Sequence, residues 1–216
     1  MIIELRSVWF RYRDSGRWVL RDISTEFRSG RLTAVVGPNG SGKTTLMKIG
    51  SLLYRPCRGS VVVDGVEFWG LEPGARLSIR RKVVYLHEKP IMLRGTVLDN
   101  VVYGLRLRGF DRDRAIDRAI EILQKLDLED LAYRDARKLS TGQAQLVAIA
   151  RALVIEPEIA FLDEPLAHLD KVKRELVIEL ITQLRSRGVG FVISTHSEIL
   201  IENLEVDNVI VLKPFE

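Results

Sequence analysis

Five short apolar segments, rich in β-branched residues, recur along the chain and predict buried strands. They are residues 32–36, 83–86, 159–162, 191–194 and 209–212. Segments with apolar residues at helical spacing lie between them, for example at residues 171–187, where Val177, Leu180, Ile181 and Leu184 share one face. Strands that alternate with helices are typical of an α/β protein with a mostly parallel sheet.

Two other strands precede the first buried segment and predict a small antiparallel β-layer. Residues 3–10 alternate between apolar and polar side chains before they become apolar, and residues 19–27 follow after a turn at 14–16. Residues 58–68 predict a β-hairpin with Asp64-Gly65 at its turn. Residues 96–152 are predicted to be mostly helical. Their core faces are two apolar stripes, Val97, Val101, Leu105 and Leu107 in one, and Ala115, Ile116, Ala119, Ile120, Leu123 and Leu126 in the other.

The segment after residues 32–36 matches the phosphate-binding pattern G-x-x-x-x-G-K-[ST], the P-loop. The motif requires a strand, a glycine-rich turn and a helix, because glycines let backbone N–H groups surround a polyphosphate. The helix N-terminus adds a partial positive charge. Lys43 can reach the β- and γ-phosphates, and the Thr44 hydroxyl can ligate Mg²⁺. The predicted nucleotide-binding residues of this loop are Gly37, Pro38, Asn39, Gly40, Ser41, Gly42, Lys43, Thr44 and Thr45.

The buried segment at 159–162 ends in two carboxylates, Asp163 and Glu164, which are followed by Pro165. Four apolar residues and an acid form the Walker B pattern, which holds an aspartate beside the P-loop, where it can bind Mg²⁺ through water. Glu164 lies one residue beyond the strand and is a candidate general base for an attacking water. The alternative is a simple polar turn, and the P-loop elsewhere in the chain favours the catalytic interpretation.

Three more residues have both a structural and a functional interpretation. Tyr12 lies at the tip of the predicted β-layer, where its ring either stacks on adenine or is an ordinary half-buried aromatic. Ser140 has the position of an N-cap before a helix at residues 144–153. His196 follows the strand at 191–194, at the edge where α/β sheets bind their ligands, which favours a functional histidine.

Length and composition exclude several classes of protein. The chain has 216 residues, a hydrophobic share of 46% and a formal net charge of +4, which suits one domain with a subdomain. The arginines are scattered with no aromatic platform between them, so nucleic acid is not an expected partner. The sequence contains no apolar run long enough to cross a bilayer and no signal-peptide pattern, so we expect a soluble, cytosolic protein.

The order of these motifs resembles that of the ATP-binding subunits of ATP-binding cassette (ABC) transporters over nearly the whole chain. The P-loop alone indicates only a P-loop NTPase. The segment Leu139-Ser140-Thr141-Gly142-Gln143 looks like the ABC signature Leu-Ser-Gly-Gly-Gln, and it stands about twenty residues before Walker B, as the family expects. By the same resemblance Asp170 belongs to the D-loop, His196 is the switch histidine and Tyr12 is the aromatic that stacks on adenine.

The resemblance implies a P-loop NTPase fold. Residues 1–90 and 156–216 would form the RecA-like core with its β-layer, and residues 91–155 the helical subdomain. It also implies a homodimer that closes head to tail around two ATP molecules with Mg²⁺. The signature residues of one subunit, Ser140, Thr141, Gly142 and Gln143, then face the nucleotide on the partner's P-loop. Within each subunit, Lys43, Glu164 and His196 are the implied catalytic residues.

Two positions depart from the family pattern. Thr141 replaces the first glycine of the signature. When Pro90 is used as the anchor, Glu88 stands where the family has the Q-loop glutamine, and it is expected to join Thr44 and Asp163 at the metal.

The resemblance further implies an ATPase that works on the cytosolic face of a membrane with a separate transmembrane permease. The segment at residues 92–109 resembles importer ATPases, including those for oxyanions such as tungstate. The alternative is a soluble single-cassette ABC ATPase that drives another process, such as cofactor assembly.

Overall fold

A computed structural model describes residues 1–13, 16–195 and 204–213. Its strands are β1 (Ile2–Phe10), β2 (Leu20–Arg28), β3 (Leu32–Val36), β4 (Arg58–Val63), β5 (Val66–Glu67), β6 (Val83–Leu86), β7 (Ile159–Asp163), β8 (Gly190–Thr195) and β9 (Asn208–Val211). Its α-helices are α1 (Lys43–Gly50), α2 (Pro73–Arg80), α3 (Val97–Arg106), α4 (Arg112–Lys125), α5 (Thr141–Leu153) and α6 (Lys171–Ser186). The predicted α/β class is confirmed.

The chain divides into two compact units. The first comprises Met1–Tyr85, Pro157–Glu164 and Arg185–Glu216, and the second comprises Leu86–Glu156 and Pro165–Leu184. Residues 165–184, assigned to the core from sequence, thus cluster with the helices. Within this unit the Gln145 amide donates to the Pro165 carbonyl at 3.1 Å, and Lys125 Nζ donates to Gln183 Oε1 at 2.6 Å.

Two sheets make up the first unit. The larger has the strand order β6-β7-β8-β3-β9, and the smaller has the order β2-β1-β4-β5. In the larger sheet β8 pairs in parallel with β7 and β3, and β3 pairs in parallel with β9. In the smaller sheet β1 is antiparallel to β2 and β4. The antiparallel β-layer predicted from the sequence is therefore present, with four strands.

The parallel register brings the ends of several strands to one edge. Asp163, the last residue of β7, is paired with Ser194 of β8, and Val36, the last residue of β3, is paired with Thr195. Chain segments that leave β3, β7 and β8 therefore leave from neighbouring points. Polar groups at this edge are close together because the sheet, rather than the sequence, makes them neighbours.

Apolar side chains from the sheets and α1 form the core of the first unit. The rings of Phe27 and Phe161 meet edge to face, with centroids 5.1 Å apart, and both are fully buried. From α1, Leu46, Met47 and Ile49 enter the same cluster. Ile23 of β2 is partly buried against it. The P-loop helix is thus anchored by its apolar face to the sheet that precedes it.

Helices α3, α4 and α5 pack together in the second unit. Most members of the two predicted apolar stripes are buried, among them Val97, Val101, Leu105 and Leu123. Leu107 was assigned to the first stripe wrongly, because it is 58% exposed. The physical reason is that Leu107 lies only two residues after Leu105, which places it about 200° further around the helix and away from the face of Val97, Val101 and Leu105.

A buried amide organises the chain before α3. Asn100 is fully buried, and its side chain bonds the N–H and the carbonyl of Leu93 and the carbonyl of Thr96. Arg151 of α5 donates to the same Asn100 side chain and to the Ile91 carbonyl. Burial lowers the pKa of Arg151. Residues 91–96 are therefore held by α3 and α5 through polar contacts.

The packing around Gly50 gives a test of the fold. A Cβ atom at Gly50 would lie 2.6 Å from Phe161 Cε1 and 2.8 Å from Phe27 Cε2. We expect Gly50→Ala to lower the free energy of unfolding by about 1–3 kcal/mol, because two buried rings must move. Urea denaturation measures this.

Gly74→Ala is the matched control, because Gly74 lies in the first turn of α2 and a Cβ atom there meets nothing within 4 Å. We expect this variant to be as stable as the parent or more stable, by up to about 1 kcal/mol. Equal stabilities for the two variants would contradict the packing described for Gly50.

Candidate functional site

The loop between β3 and α1 adopts a backbone that favours glycine at three positions. Gly37, Gly40 and Gly42 have φ values of 152°, 81° and 96°. A Cβ atom at Gly37 would also collide with the carbonyl oxygen of Leu212. These glycines allow α1 to begin at Lys43 directly after the left-handed Gly42.

The N-terminus of α1 has the properties of an anion-binding site. Gly42 provides no side-chain cap, and the first turn has no acidic residue. Its backbone N–H groups and its partial positive charge are therefore available to a negatively charged group. Within the described ranges, the buried Ser41 Oγ has no hydrogen-bond partner. Such an atom fits a loop whose hydrogen bonds are completed by phosphate oxygens.

Lys43 lies inside this loop, with only 8% of its surface exposed. Its Nζ atom donates to the carbonyl of Gly37 at 2.7 Å and to that of Pro38 at 3.2 Å. The loop's own backbone therefore holds the ammonium group next to the N-terminus of α1. The ammonium group and the helix N-terminus can both attract an anion bound in the loop.

The next residue, Thr44, joins the P-loop to the Walker B strand. Thr44 Oγ1 donates to Asp163 Oδ2 at 2.8 Å, although the two residues are 119 positions apart. Asp163 is 2% exposed at the end of β7. A hydroxyl and a carboxylate are oxygen donors of the kind that Mg²⁺ prefers. The described residues contain no cluster of three His, Cys, Asp or Glu side chains that could hold a metal ion.

Two further hydroxyl groups contact Asp163, and sequence reasoning assigned neither to the site. Tyr85 of β6 donates to Asp163 Oδ2 at 3.0 Å, and Ser194 of β8 donates to Asp163 Oδ1. Burial and the nearby Asp163 carboxylate raise the pKa of Tyr85 well above its ordinary value, so the phenol stays protonated. A signal for Tyr85 existed, because a tyrosine in an apolar strand needs a partner for its hydroxyl.

Glu164 follows Asp163 with an unusual backbone. Its φ of 47° lies in the left-handed region, which costs free energy for a residue other than glycine. The Glu164 N–H donates to both Ser194 Oγ, at 3.0 Å, and the Ser194 carbonyl, at 3.2 Å. These two bonds hold the turn, and the side chain of Glu164 is half-buried. The turn directs the chain away from the strand immediately after the carboxylate.

Tyr12 lies beside the P-loop helix. Its hydroxyl is 3.0 Å from Thr45 Oγ1. Its ring meets the rings of Phe10 and Tyr54 edge to face, with centroid distances of 5.2 Å and 6.3 Å. The Tyr12 side chain remains 40% exposed. This arrangement brings an exposed aromatic ring to the P-loop, and adenine stacking by Tyr12 stays a prediction.

The signature segment forms the start of α5 in the second unit. Ser140 is the N-cap: its Oγ accepts from the Gln143 N–H at 3.3 Å, while Gln143 Oε1 accepts from the Ser140 N–H at 3.0 Å. Ser140 and Thr141 are exposed. A Cβ atom at Gly142 would approach the His168 carbonyl at 3.3 Å. The helix therefore begins at Thr141, three residues earlier than predicted, with its N-terminus open to solvent.

The other predicted site residues are less constrained. Asp170 precedes α6, and its carboxylate accepts from the Lys173 N–H at 3.0 Å and from Lys173 Nζ at 2.6 Å. The Lys173 hydrogen bonds lower the pKa of Asp170. Glu88 is exposed in the segment that follows β6. His196 lies outside the described residues.

A P-loop, a Walker B carboxylate and a mostly parallel sheet together define the class of protein as a P-loop NTPase. A family model described as ABC transporter matches residues 20–167. The chain belongs to the ABC transporter family. Among the described residues, every helix is too short or too polar to cross a membrane.

Individual relatives agree with this assignment. A probable anion import ATP-binding protein of Haloferax volcanii is 37% identical over 82% of this chain and 66% of its own length, so the chain spans just under two thirds of that relative. The tungstate uptake system ATP-binding protein TupC of Peptoclostridium acidaminophilum is 35% identical over 84% of this chain and 82% of its own. A dimeric ATP-binding cassette in a post-hydrolysis state, bound to ADP and Pi, superposes with a TM-score of 0.88 at 28% identity and covers 98% of this chain and 94% of its own.

The contacts of Ser194 predict a specific loss of stability. Ser194→Ala removes the donor to Asp163 Oδ1 and one acceptor of the Glu164 N–H. We expect the free energy of unfolding to fall by about 1–3 kcal/mol, because a buried carboxylate loses a hydrogen bond. Denaturant unfolding measures the change.

Ser78→Ala is the control, since the exposed Ser78 hydroxyl donates to the Gly74 carbonyl within its own helix. That variant should differ from the parent by less than about 0.5 kcal/mol. If both variants were equally stable, the bonds of Ser194 would not support the Walker B turn.

Proposed function

We propose that this chain is the ATP-binding and ATP-hydrolysing subunit of a membrane transporter, and that it acts with a separate transmembrane permease. The observation that carries the proposal is the hydrogen bond between Thr44 and Asp163. It joins the P-loop and Walker B at the uncapped N-terminus of α1, next to the buried ammonium group of Lys43. In P-loop NTPases the phosphates, the metal ion and the attacking water bind in the same site.

In this proposal the nucleotide binds with its phosphates in the loop at Gly37–Thr45 and its adenine against Tyr12. The backbone N–H groups of the loop and Lys43 Nζ bind the β- and γ-phosphates. Lys43 then exchanges its contacts with the Gly37 and Pro38 carbonyls for phosphate oxygens. The exposed ring of Tyr12, next to Thr45, supports the adenine position.

Thr44 and Asp163 would hold Mg²⁺, with Glu88 as a further donor by the resemblance. The ion, when bound, neutralises charge that develops on the phosphates. Glu164 orients the attacking water and accepts its proton. Its half-buried position, one residue after Asp163, supports this role. By family resemblance, His196 is the switch histidine and a further catalytic residue.

Hydrolysis in this proposal requires two copies of the chain arranged head to tail. The first turn of α5 carries Ser140, Thr141, Gly142 and Gln143. Ser140 caps this helix within its own chain, but Ser140 and Thr141 are exposed, so the helix N-terminus is accessible to a phosphate held on another subunit. Asp170, which precedes α6, belongs to the D-loop by the resemblance. The similarity to a dimeric cassette bound to ADP and Pi supports this arrangement.

We further propose that the transporter is an importer and that this subunit lies on the cytosolic face of the membrane. Relatives whose names specify anion import and tungstate uptake support import over export. The alternative is a soluble single-cassette ATPase. Copurification from membranes with a permease expressed from the same operon, together with ATPase activity that rises when transport substrate is added, distinguishes the two.

Replacing the proposed base tests the mechanism. Glu164→Gln should still bind Mg·ATP but lose about 10²–10⁴-fold in turnover, because the amide cannot accept the proton of water. An ATP-bound dimer should then accumulate and be visible by size-exclusion chromatography with light scattering. Glu129→Gln, a substitution of an exposed residue in a short turn, should leave both the turnover rate and the molecular mass in solution unchanged.

Adding Ser140→Arg to Glu164→Gln should abolish this dimer but leave ATP binding by the monomer intact, because arginine fills the space meant for the partner's γ-phosphate. If the double variant still dimerised with ATP, the head-to-tail proposal would be wrong. Normal turnover in Glu164→Gln would remove Glu164 from the mechanism.

The exchange at Glu88 tests the departure from the family pattern. Glu88→Gln removes a negative charge from the proposed metal site, so the Mg²⁺ concentration for half-maximal ATPase rate should rise. The maximal rate should stay the same or rise modestly, because less negative charge faces the phosphates. The measurement is a Mg²⁺ titration of the rate, with Glu129→Gln as control. Loss of all activity would instead make the Glu88 carboxylate catalytic.

A further inference from the structure

Three side-chain hydroxyl groups surround the carboxylate of Asp163. Ser194 donates to Oδ1, while Thr44 and Tyr85 donate to Oδ2 at 2.8 Å and 3.0 Å. Asp163 itself is 2% exposed. The orientation of this carboxylate is therefore set by protein donors rather than by water.

These donors come from different parts of the first unit. The strand β7 lies between β6 and β8 in the sheet. Tyr85 is on β6 and Ser194 is on β8, so each neighbouring strand supplies one donor to the carboxylate at the end of β7. The third donor, Thr44, belongs to α1. Asp163 is thus fixed from both sides of its own strand.

Thr44 and Tyr85 differ in what they can do when a metal binds. The Thr44 hydroxyl donates its proton to Asp163 and is a proposed metal ligand, so its lone pairs would hold the ion. The Tyr85 phenol is attached to a strand that flanks β7, and it donates to Asp163 Oδ2 from there. A carboxylate oxygen accepts more than one bond. Oδ2 can therefore keep the Tyr85 bond while it faces the metal or a metal-bound water.

We propose that Tyr85 is a positioning residue for Mg²⁺: its hydroxyl holds Asp163 Oδ2 in the orientation that the metal requires. This inference rests on the proposed function, because it assumes a metal between the P-loop and Asp163. Loss of a hydrogen-bond donor to a metal-binding carboxylate typically weakens metal affinity by about 10–100-fold. Tyr85 makes no contact with nucleotide in this scheme, and its effect on catalysis passes through Asp163.

The test replaces Mg²⁺ with Mn²⁺, whose binding can be followed by electron paramagnetic resonance. Parent protein and Tyr85→Phe are loaded with a non-hydrolysable ATP analogue and titrated with Mn²⁺. We expect Tyr85→Phe to bind Mn²⁺ roughly 10-fold more weakly. Binding of the analogue without metal should change less than about twofold, since the P-loop itself is intact. The ATPase rate should show a raised Mg²⁺ requirement and a nearly unchanged rate at saturating Mg²⁺.

Two further variants sharpen the test. Tyr133→Phe removes the same hydroxyl from a side chain that is 79% exposed, and it should bind Mn²⁺ as the parent does. Tyr85→Met keeps apolar bulk without a donor and should behave as Tyr85→Phe does, so the inference remains testable if one of the two variants fails to fold.

The outcomes separate this inference from the proposed function. If the parent binds nucleotide and Mn²⁺, and Tyr85→Phe binds Mn²⁺ as tightly or more tightly, the role of Tyr85 is overturned while the proposed function stands. If the parent itself binds neither, the proposed function fails and the role of Tyr85 fails with it. If the role of Tyr85 were purely structural, Tyr85→Phe would lower the unfolding midpoint and leave the Mn²⁺ affinity unchanged.

Discussion

The hydrogen bond between Thr44 and Asp163 depends on the parallel pairing of three strands. Because β3, β8 and β7 run in the same direction, the segments that follow them begin at one edge of the sheet. If β7 alone ran in the opposite direction, Walker B would lie at the edge of the sheet opposite the P-loop. The register of Asp163 against Ser194 then brings a third hydroxyl to the same point. The chemistry of the site is in this sense a consequence of strand direction.

Backbone conformation, as well as side-chain chemistry, shapes this edge. Gly42 reaches φ 96° without strain, and this lets α1 start with its N–H groups uncapped. Glu164 reaches φ 47° at a cost, and its N–H is held by two acceptors from Ser194. The same serine therefore orients Asp163 and maintains the strained turn that carries Glu164. A disturbance at Ser194 would reach both carboxylates together.

Much of the fold could be predicted from the sequence because the signals were local. The apolar periodicity of α1, α5 and the buried strands, and the glycines of the P-loop, depend on neighbours only a few residues away. Leu107 was assigned wrongly because it lies two residues after Leu105, a spacing that places it on a different face of the helix. Tyr85 and Ser194 were missed as site residues because their partner, Asp163, is distant in sequence. Only the strand order β6-β7-β8 makes them neighbours.

The contact between Gly37 and β9 has a practical consequence for handling this protein. The carbonyl of Leu212 occupies the space beside Gly37, and the Leu212 N–H donates to the Val36 carbonyl at 2.8 Å. Residues just beyond β9 therefore form one wall of the phosphate loop, although no motif marks them. A purification tag or a truncation that displaces Leu212 would change the conformation of the phosphate loop, so an activity measured on such a protein would not represent the native loop.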